Sequence, residues 1–447
     1  MDLLALCLVF VPVVLFFVLM FTGEKSAYLI TVISAVFFLL CTVALIVTPE
    51  PVILPVPSLL WRILTLATVS LIFWHSVRDK QLIISVITFI QAVILVVFEI
   101  VSLQAEPDNF LAPTLREKLL LLCGTLTILI FMPFVIYLLK KYYSGASFRI
   151  KRFGMGILLL LSSFAGLISS NSVTGLFLFW QWQYIAGCLL LKVYGNTYGN
   201  AGAKNVFLRT FPYMQQTALT LFLSAGIAAY YITGSMSMQD FRDFGKLSEF
   251  LALIIYVTAV LMGLLIPENY VYRFDSAKAV PAAGMYLVIF SLIVPYAVLA
   301  KFRPLFHNLT GSVISLMIIY GGILVFAGAY FSLSGYRNRH SILNLIMSMS
   351  GLAVATVFKK LQSSIRFLSN NPLPLLLVIA GIVLTAAYII MWISSIFTAH
   401  TGHTSEINEE HPVASIIPFN INFDLIIKIG YITTAALTLG VSLLCMK

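Results

Sequence analysis

The sequence predicts an all-α, polytopic membrane protein with about fourteen transmembrane helices. Of its 447 residues, 60% are hydrophobic and only 10% are charged, whereas about a quarter of the residues in a soluble domain carry a charge. The mean hydropathy is +1.01. Backbone groups in lipid must be paired within their own segment, so the long apolar runs are predicted to be helices rather than strands.

The predicted helices follow one another with short polar or proline-rich connections, such as "TPEPVILPVP" and "PDNFLAP". The first run lacks the basic start and the cleavage site of a signal peptide, so we interpret it as a retained helix. The predicted helices cover residues 3–22, 26–47, 58–75, 81–103, 117–139, 153–170, 173–192, 206–232, 248–266, 280–300, 308–333, 341–358, 373–397 and 423–446.

Loop charge predicts the orientation in the membrane. The loop "KKYYSGASFRIKR" holds five basic residues and no acidic one, which is typical of the cytoplasmic side. The protein is expected in the inner membrane of a bacterium. With an even number of helices, both of its termini are then expected on the outer side of that membrane. The basic segment "KKLQSSIR" falls on the opposite side and weakens this bias. We attribute the net charge of +10 to topology and expect the lipid bilayer, not nucleic acid, as its partner.

The motifs of common catalytic and cofactor sites are absent from the sequence. There is no P-loop and no dinucleotide fingerprint. The five cysteines lie in apolar runs without a CxxC, and the six histidines are scattered. No catalytic residue, metal or cofactor is therefore predicted in this chain, and it remains open whether the chain is a non-catalytic subunit of a larger enzyme.

Four glutamines stand out inside apolar segments. Gln181 and Gln183 lie in "GLFLFWQWQYIAGCLLL", and Gln215 and Gln216 follow Pro212. Gln181 and Gln183 are about 200° apart on a helix, so at most one is expected to face a polar interior. Two interpretations stay open, a hydrated path lined by amides and hydrogen bonding between helices. Pro212 likewise fits either a broken helix or a continuous one whose freed backbone groups are paired by polar neighbours.

Charged residues near predicted helix ends have two interpretations as well. Lys204 and Arg209 either extend to the membrane interface or pair with a carboxylate. Arg62 is expected to reach the interface, and so is Glu99. The segment "PENYVYRFDSAK" is either a solvated loop or the mouth of an ion path, and it contains Glu268, Arg273 and Asp275.

The stretch "GILLLLSSFAGLISSNSVTGLFLFWQWQ" has two helices separated by a tight polar turn at residues 169–172. It resembles the fourth and fifth core helices of the antiporter-like family. That family includes the proton-pumping membrane subunits of respiratory complex I, the Mrp-type cation/proton antiporters and the membrane partner in DAB-type inorganic-carbon uptake. The resemblance extends over roughly residues 117–351.

Three later segments resemble the same family. "AKNVFLRTF" resembles a helix start and carries Lys204 and Arg209. "GLLIPENYVYRFDSAKAVPAAGMYLVIFSLIVPYAVLAKFRPLF" resembles the family's broken helices and ends near Lys301, and "RNRHSILNLIMSMSG" supplies Arg339 and His340. The resemblance implies three regions: a four-helix part at 1–116, an antiporter-like core at 117–358 and C-terminal helices with a polar outer loop at 359–447. The ion-path candidates are Gln181, Gln183, Lys204, Arg209, Gln215, Gln216, Glu268, Arg273, Asp275, Lys301, Arg339 and His340.

The sequence departs from the family at its ionisable positions. Gln181 stands where the family has a glutamate, Met262 replaces a lysine and Asn269 replaces a histidine. The resemblance implies a degenerate, largely architectural subunit of an ion-translocating complex, with protons as the expected ion. Its partners would be redox subunits or a soluble zinc-containing subunit for inorganic-carbon uptake. A stand-alone secondary transporter with a polar midplane site is the alternative, and a purely structural scaffold is a third.

Overall fold

The computed structural model is almost entirely helical over the residues that it describes. These are residues 2–48, 54, 58–101, 111, 113–142, 146–195, 201–233, 249–251, 253–254, 257–258, 294, 298, 301, 311–334, 348, 376 and 379–387. The predicted helices at 248–266, 280–300, 341–358, 373–397 and 423–446 lie wholly or largely outside this part of the chain. The same is true of most of the predicted C-terminal region 359–447.

The helices confirm the predicted fold class, an all-α polytopic membrane protein. Their bounds are α1 Leu3–Phe21, α2 Glu24–Val47, α3 Ser58–Arg78, α4 Leu82–Val101, α5 Leu115–Tyr142, α6 Ala146–Ser169, α7 Val173–Gly195, α8 Ala201–Thr233 and α9 Gly311–Ser334. Within the described residues, seven helices are long and apolar enough to cross a membrane, namely α1 to α4, α6, α7 and α9. Helix α8 continues through Pro212 without a break.

Side-chain caps explain why several helices begin where they do. The Asp2 carboxylate accepts a hydrogen bond from Leu4 N at 3.0 Å at the start of α1. Between α6 and α7 the turn occupies only residues 170–172, one residue shorter than the predicted 169–172, and Ser172 Oγ accepts from Gly175 N at 3.2 Å. Each cap satisfies a backbone donor that has no partner within its helix. The short capped turn forces α6 and α7 to pack as an antiparallel pair.

Helices α6 and α7 form the centre of the described bundle. Within their membrane-length windows, 89% of α6 and 78% of α7 is buried, against 28% of α1. Helix α6 packs against α1, α2, α5 and α7, and α7 also packs against α3 and α8. The ammonium of Lys151 on α6 donates to the carbonyls of Met20 and Thr22 at the C-terminal end of α1. The outer helices leave apolar side chains exposed, as expected where lipid surrounds a bundle.

Close packing between α6 and α7 depends on a glycine. A Cβ atom at Gly166 would overlap the ring of Phe179. Gly166→Ala is therefore expected to lower the free energy of unfolding by about 1–3 kcal/mol, as overpacking does in well-packed cores. Gly23→Ala is the matched control, because nothing lies within 4 Å of a Cβ there. Equal unfolding midpoints for the two variants in detergent would contradict this account of the interface.

Candidate polar site inside the bundle

Three glutamine side chains from three helices meet near the middle of the bundle. Gln91 on α4, Gln181 on α7 and Gln216 on α8 are all 0% exposed. Gln181 Nε2 donates to Gln91 Oε1 at 2.9 Å, and Gln216 Nε2 donates to Gln181 Oε1 at 3.0 Å. Gln91 Nε2 closes the ring by donating to Gln216 Oε1 at 3.1 Å. We call these three residues the amide cluster.

The amide cluster is also connected to the backbone of α8. Gln91 Nε2 lies 3.1 Å from the carbonyl oxygen of Gln216 and 2.9 Å from Thr220 Oγ1. Thr220 Oγ1 in turn donates to the Gln216 carbonyl at 2.8 Å. Every amide of the cluster therefore both donates and accepts, which is the condition for burying such groups without a large cost.

Two tryptophans extend this hydrogen bonding to either side of α7. Trp180 Nε1 donates to Gln215 Oε1 on α8 at 2.9 Å. Trp182 Nε1 donates to Thr68 Oγ1 on α3 at 3.1 Å. Gln215 is therefore bound to an indole and stands outside the amide cluster, although it adjoins Gln216 in sequence. The central segment of α7 is linked by side-chain hydrogen bonds to α3, α4 and α8.

Gln183 differs from its neighbour two residues earlier. It is 2% exposed, and its Oε1 atom is buried without a hydrogen-bond partner among the described residues. As predicted from the helical angle, Gln181 and Gln183 do not share a face. Other helices bury both residues, but of the two only Gln181 belongs to the amide cluster.

A buried ion pair lies at the end of the bundle where α5 begins. Lys301 Nζ is 2.6 Å from Glu117 Oε1, and the two side chains are 4% and 9% exposed. Glu117 Oε2 also accepts from Thr114 N at 2.7 Å, and Lys301 Nζ lies 3.4 Å from Asn171 Oδ1. Lys301 therefore connects the start of α5 to the turn between α6 and α7. We call Glu117 and Lys301 the buried ion pair.

A second ion pair joins α3 and α4. Arg62 Nε lies 3.0 Å from Glu99 Oε2, with side chains 18% and 17% exposed. Each was expected to reach the membrane interface, and their pairing was not predicted. Helices α3 and α4 pack together, and the start of α3 lies beside the end of α4. Pairing there is less costly than leaving two partly buried charges apart.

Several predicted site residues cannot be placed. Glu268, Arg273, Asp275, Arg339 and His340 lie outside the described residues. Lys204 and Arg209 lie in the first turns of α8, and the structure describes their backbone only. Sequence reasoning missed Gln91 and the role of Glu117. Gln91 had one usable signal, a single amide in the middle of the apolar run "LIISVITFIQAVILVVFEIV".

The chemistry available at the amide cluster is limited to hydrogen bonding. A carboxamide does not titrate, so it cannot store a proton, although it can hold helices together or orient a water molecule. Titratable groups are found elsewhere among the described residues, in the buried ion pair of Glu117 and Lys301. Charged side chains inside membrane proteins are expensive and usually have a function.

The fold and this polar interior define an integral, all-helical membrane protein. No protein-family model matches the sequence, and no curated protein matches it. Among solved structures it is similar to "Respiratory complex I from Thermus thermophilus with bound NADH", with a TM-score of 0.45 and 16% sequence identity. The match covers 72% of this chain and 70% of that chain. This degree of similarity assigns neither a family nor a reaction to the chain.

Proposed function

We propose that this chain is an integral membrane subunit of an ion-translocating complex, with protons as the expected ion, and that its role there is largely architectural. The complex would couple ion movement to redox chemistry or to uptake of a solute such as inorganic carbon. The amide cluster carries the architectural part of this proposal. It fills the middle of the helix bundle with neutral groups that hydrogen-bond to one another.

The antiporter-like resemblance supports the ion-translocating part. At the position of the family's glutamate, Gln181 keeps the polarity and loses the titratable proton. The ion-pairing residues Lys301 and Glu117 lie at one end of the bundle and not at its middle. A route for protons across the membrane would then need titratable groups from partner subunits or from other parts of the chain.

The alternative, a stand-alone secondary transporter, requires polar groups available to a substrate. Its predicted site used Gln181, Gln183, Gln215 and Gln216. Three of these already have protein partners: two belong to the amide cluster, and Gln215 accepts from Trp180. A substrate would have to displace these bonds, and a site whose polar groups are left imperfectly paired loses affinity. We therefore favour the subunit.

Purification from the native membrane distinguishes the two proposals. The tagged full-length chain would be extracted in a mild detergent, and co-purifying proteins would be identified by mass spectrometry. We expect redox subunits or one large soluble zinc protein in stoichiometric amounts, and either would also name the coupled reaction. A stable, monodisperse chain recovered alone would overturn the subunit proposal and favour the transporter.

A further inference from the structure

Gln183 carries a buried polar atom that the amide cluster does not use. Its Oε1 atom has no hydrogen-bond partner among the described residues, and the residue is 2% exposed. A buried acceptor without a donor costs about 1–3 kcal/mol. Such atoms are rare in native proteins, and an ordered water molecule is a common partner. A water molecule bound there would need a second polar group at the same height in the bundle.

Close contacts between α6 and α7 fix that height. A Cβ at Gly166 would meet the ring of Phe179, and a Cβ at Gly156 would meet Leu190. Because the two helices are antiparallel with the same rise per residue, counting from the first contact places Gln183 opposite residue 162 of α6, and counting from the second places it opposite residue 163. Both of these residues are serines, and both are 0% exposed.

The two serines differ in what their hydroxyls do. Ser162 Oγ donates to the carbonyl of Val9 on α1 at 2.7 Å, so it faces away from α7. Ser163 Oγ donates to Leu160 O in its own helix at 3.0 Å. A hydroxyl oxygen that donates its proton can still accept a hydrogen bond. Ser163 and Gln183 thus provide two neutral acceptors at one height between α6 and α7.

We propose that Gln183 Oε1 and Ser163 Oγ hold an internal water molecule between α6 and α7. A water molecule has two protons to donate, and neither acceptor is charged, so a neutral donor suits them better than a cation. Buried waters of this kind typically make about three hydrogen bonds to polar groups that would otherwise be unpaired. This inference deepens the proposed function and rests on it, because it adds a second neutral polar arrangement inside the bundle, on the α6 side of α7.

The direct test is a structure of the purified wild-type protein, in its native complex or alone, at a resolution that reveals ordered water. We expect a water peak within hydrogen-bond distance of both Gln183 Oε1 and Ser163 Oγ. An empty position, or a protein donor on Gln183 Oε1, would overturn the inference. The result does not depend on which partners co-purify, so its failure is distinguishable from failure of the subunit proposal.

A double-mutant cycle gives a second test that uses only small, shape-conserving changes. If one water joins the two side chains, the shifts in unfolding midpoint caused by Gln183→Met and Ser163→Ala should not add. The double variant should then unfold at nearly the same midpoint as the less stable of the two single variants. Gln183→Met with Ser162→Ala is the matched control and should be additive, because Ser162 is bound to α1. Additive shifts in both pairs would contradict a shared water.

Discussion

Lys301→Met is expected to lower the free energy of unfolding by about 3–5 kcal/mol, the cost of leaving one member of a buried ion pair without its partner. Glu117 is 9% exposed on its side chain, and among the described residues it would keep only the hydrogen bond from Thr114 N. The start of α5 would also lose its connection to the turn at Asn171. Unfolding in mixed detergent micelles, followed by circular dichroism, measures the loss.

Two further variants distinguish the effect of breaking the ion pair from the effect of removing a positive charge alone. Lys118→Met removes a charge next to Glu117 from a partly exposed side chain, and we expect a change below about 0.5 kcal/mol. The double variant Lys301→Met with Glu117→Gln removes both charges, so it should recover a large part of the stability lost in the single variant. A double variant less stable than Lys301→Met alone would contradict the assignment of a buried pair.

Gln181→Met is expected to have the second-largest effect. It removes the donor to Gln91 Oε1 and the acceptor of Gln216 Nε2 while nearly conserving the side-chain volume. Each buried atom left unpaired costs about 1–3 kcal/mol in soluble proteins, and interhelical hydrogen bonds in membranes average about 0.6 kcal/mol with a maximum near 1.7. We expect a total loss of about 1–3 kcal/mol, measured as a shift in the unfolding midpoint.

Gln91→Met should produce a similar loss, although sequence reasoning gave this residue no role. It removes the acceptor of Gln181 Nε2 and the donor to Gln216 Oε1. The matched control is Gln81→Met, the same chemical change at a partly exposed residue between α3 and α4, outside the amide cluster. If all three variants shifted the midpoint equally, the amide cluster would have no special role in stability.

The helices themselves were predictable because each is encoded locally. An apolar run of about 20 residues, ended by prolines, serines or basic clusters, is enough to place a membrane helix. A tight turn was predicted at residues 169–172 for the same reason, since "SSNS" interrupts two apolar runs, and the structure has the turn at residues 170–172. Most helix bounds in the described part of the chain differ from the prediction by only a few residues.

The partners inside the bundle were not predictable, because they are far apart in sequence. Gln91 is 125 residues from Gln216, and Arg62 was interpreted alone because nothing in the sequence brings it to Glu99. Lys301 was named as a candidate, but its partner Glu117 was not. Which polar side chains meet depends on how the helices pack, and helix patterns alone do not determine that packing.

The architectural proposal depends on the three glutamines of the amide cluster being one another's hydrogen-bond partners. Replacing both partners of a buried hydrogen bond by apolar groups of similar shape is nearly neutral, whereas replacing one is costly. The triple variant with Gln91, Gln181 and Gln216 all changed to methionine should therefore have a higher unfolding midpoint than Gln181→Met alone. A triple variant destabilised by the sum of the three single changes would mean that these amides bind something other than one another, and the architectural account would be wrong.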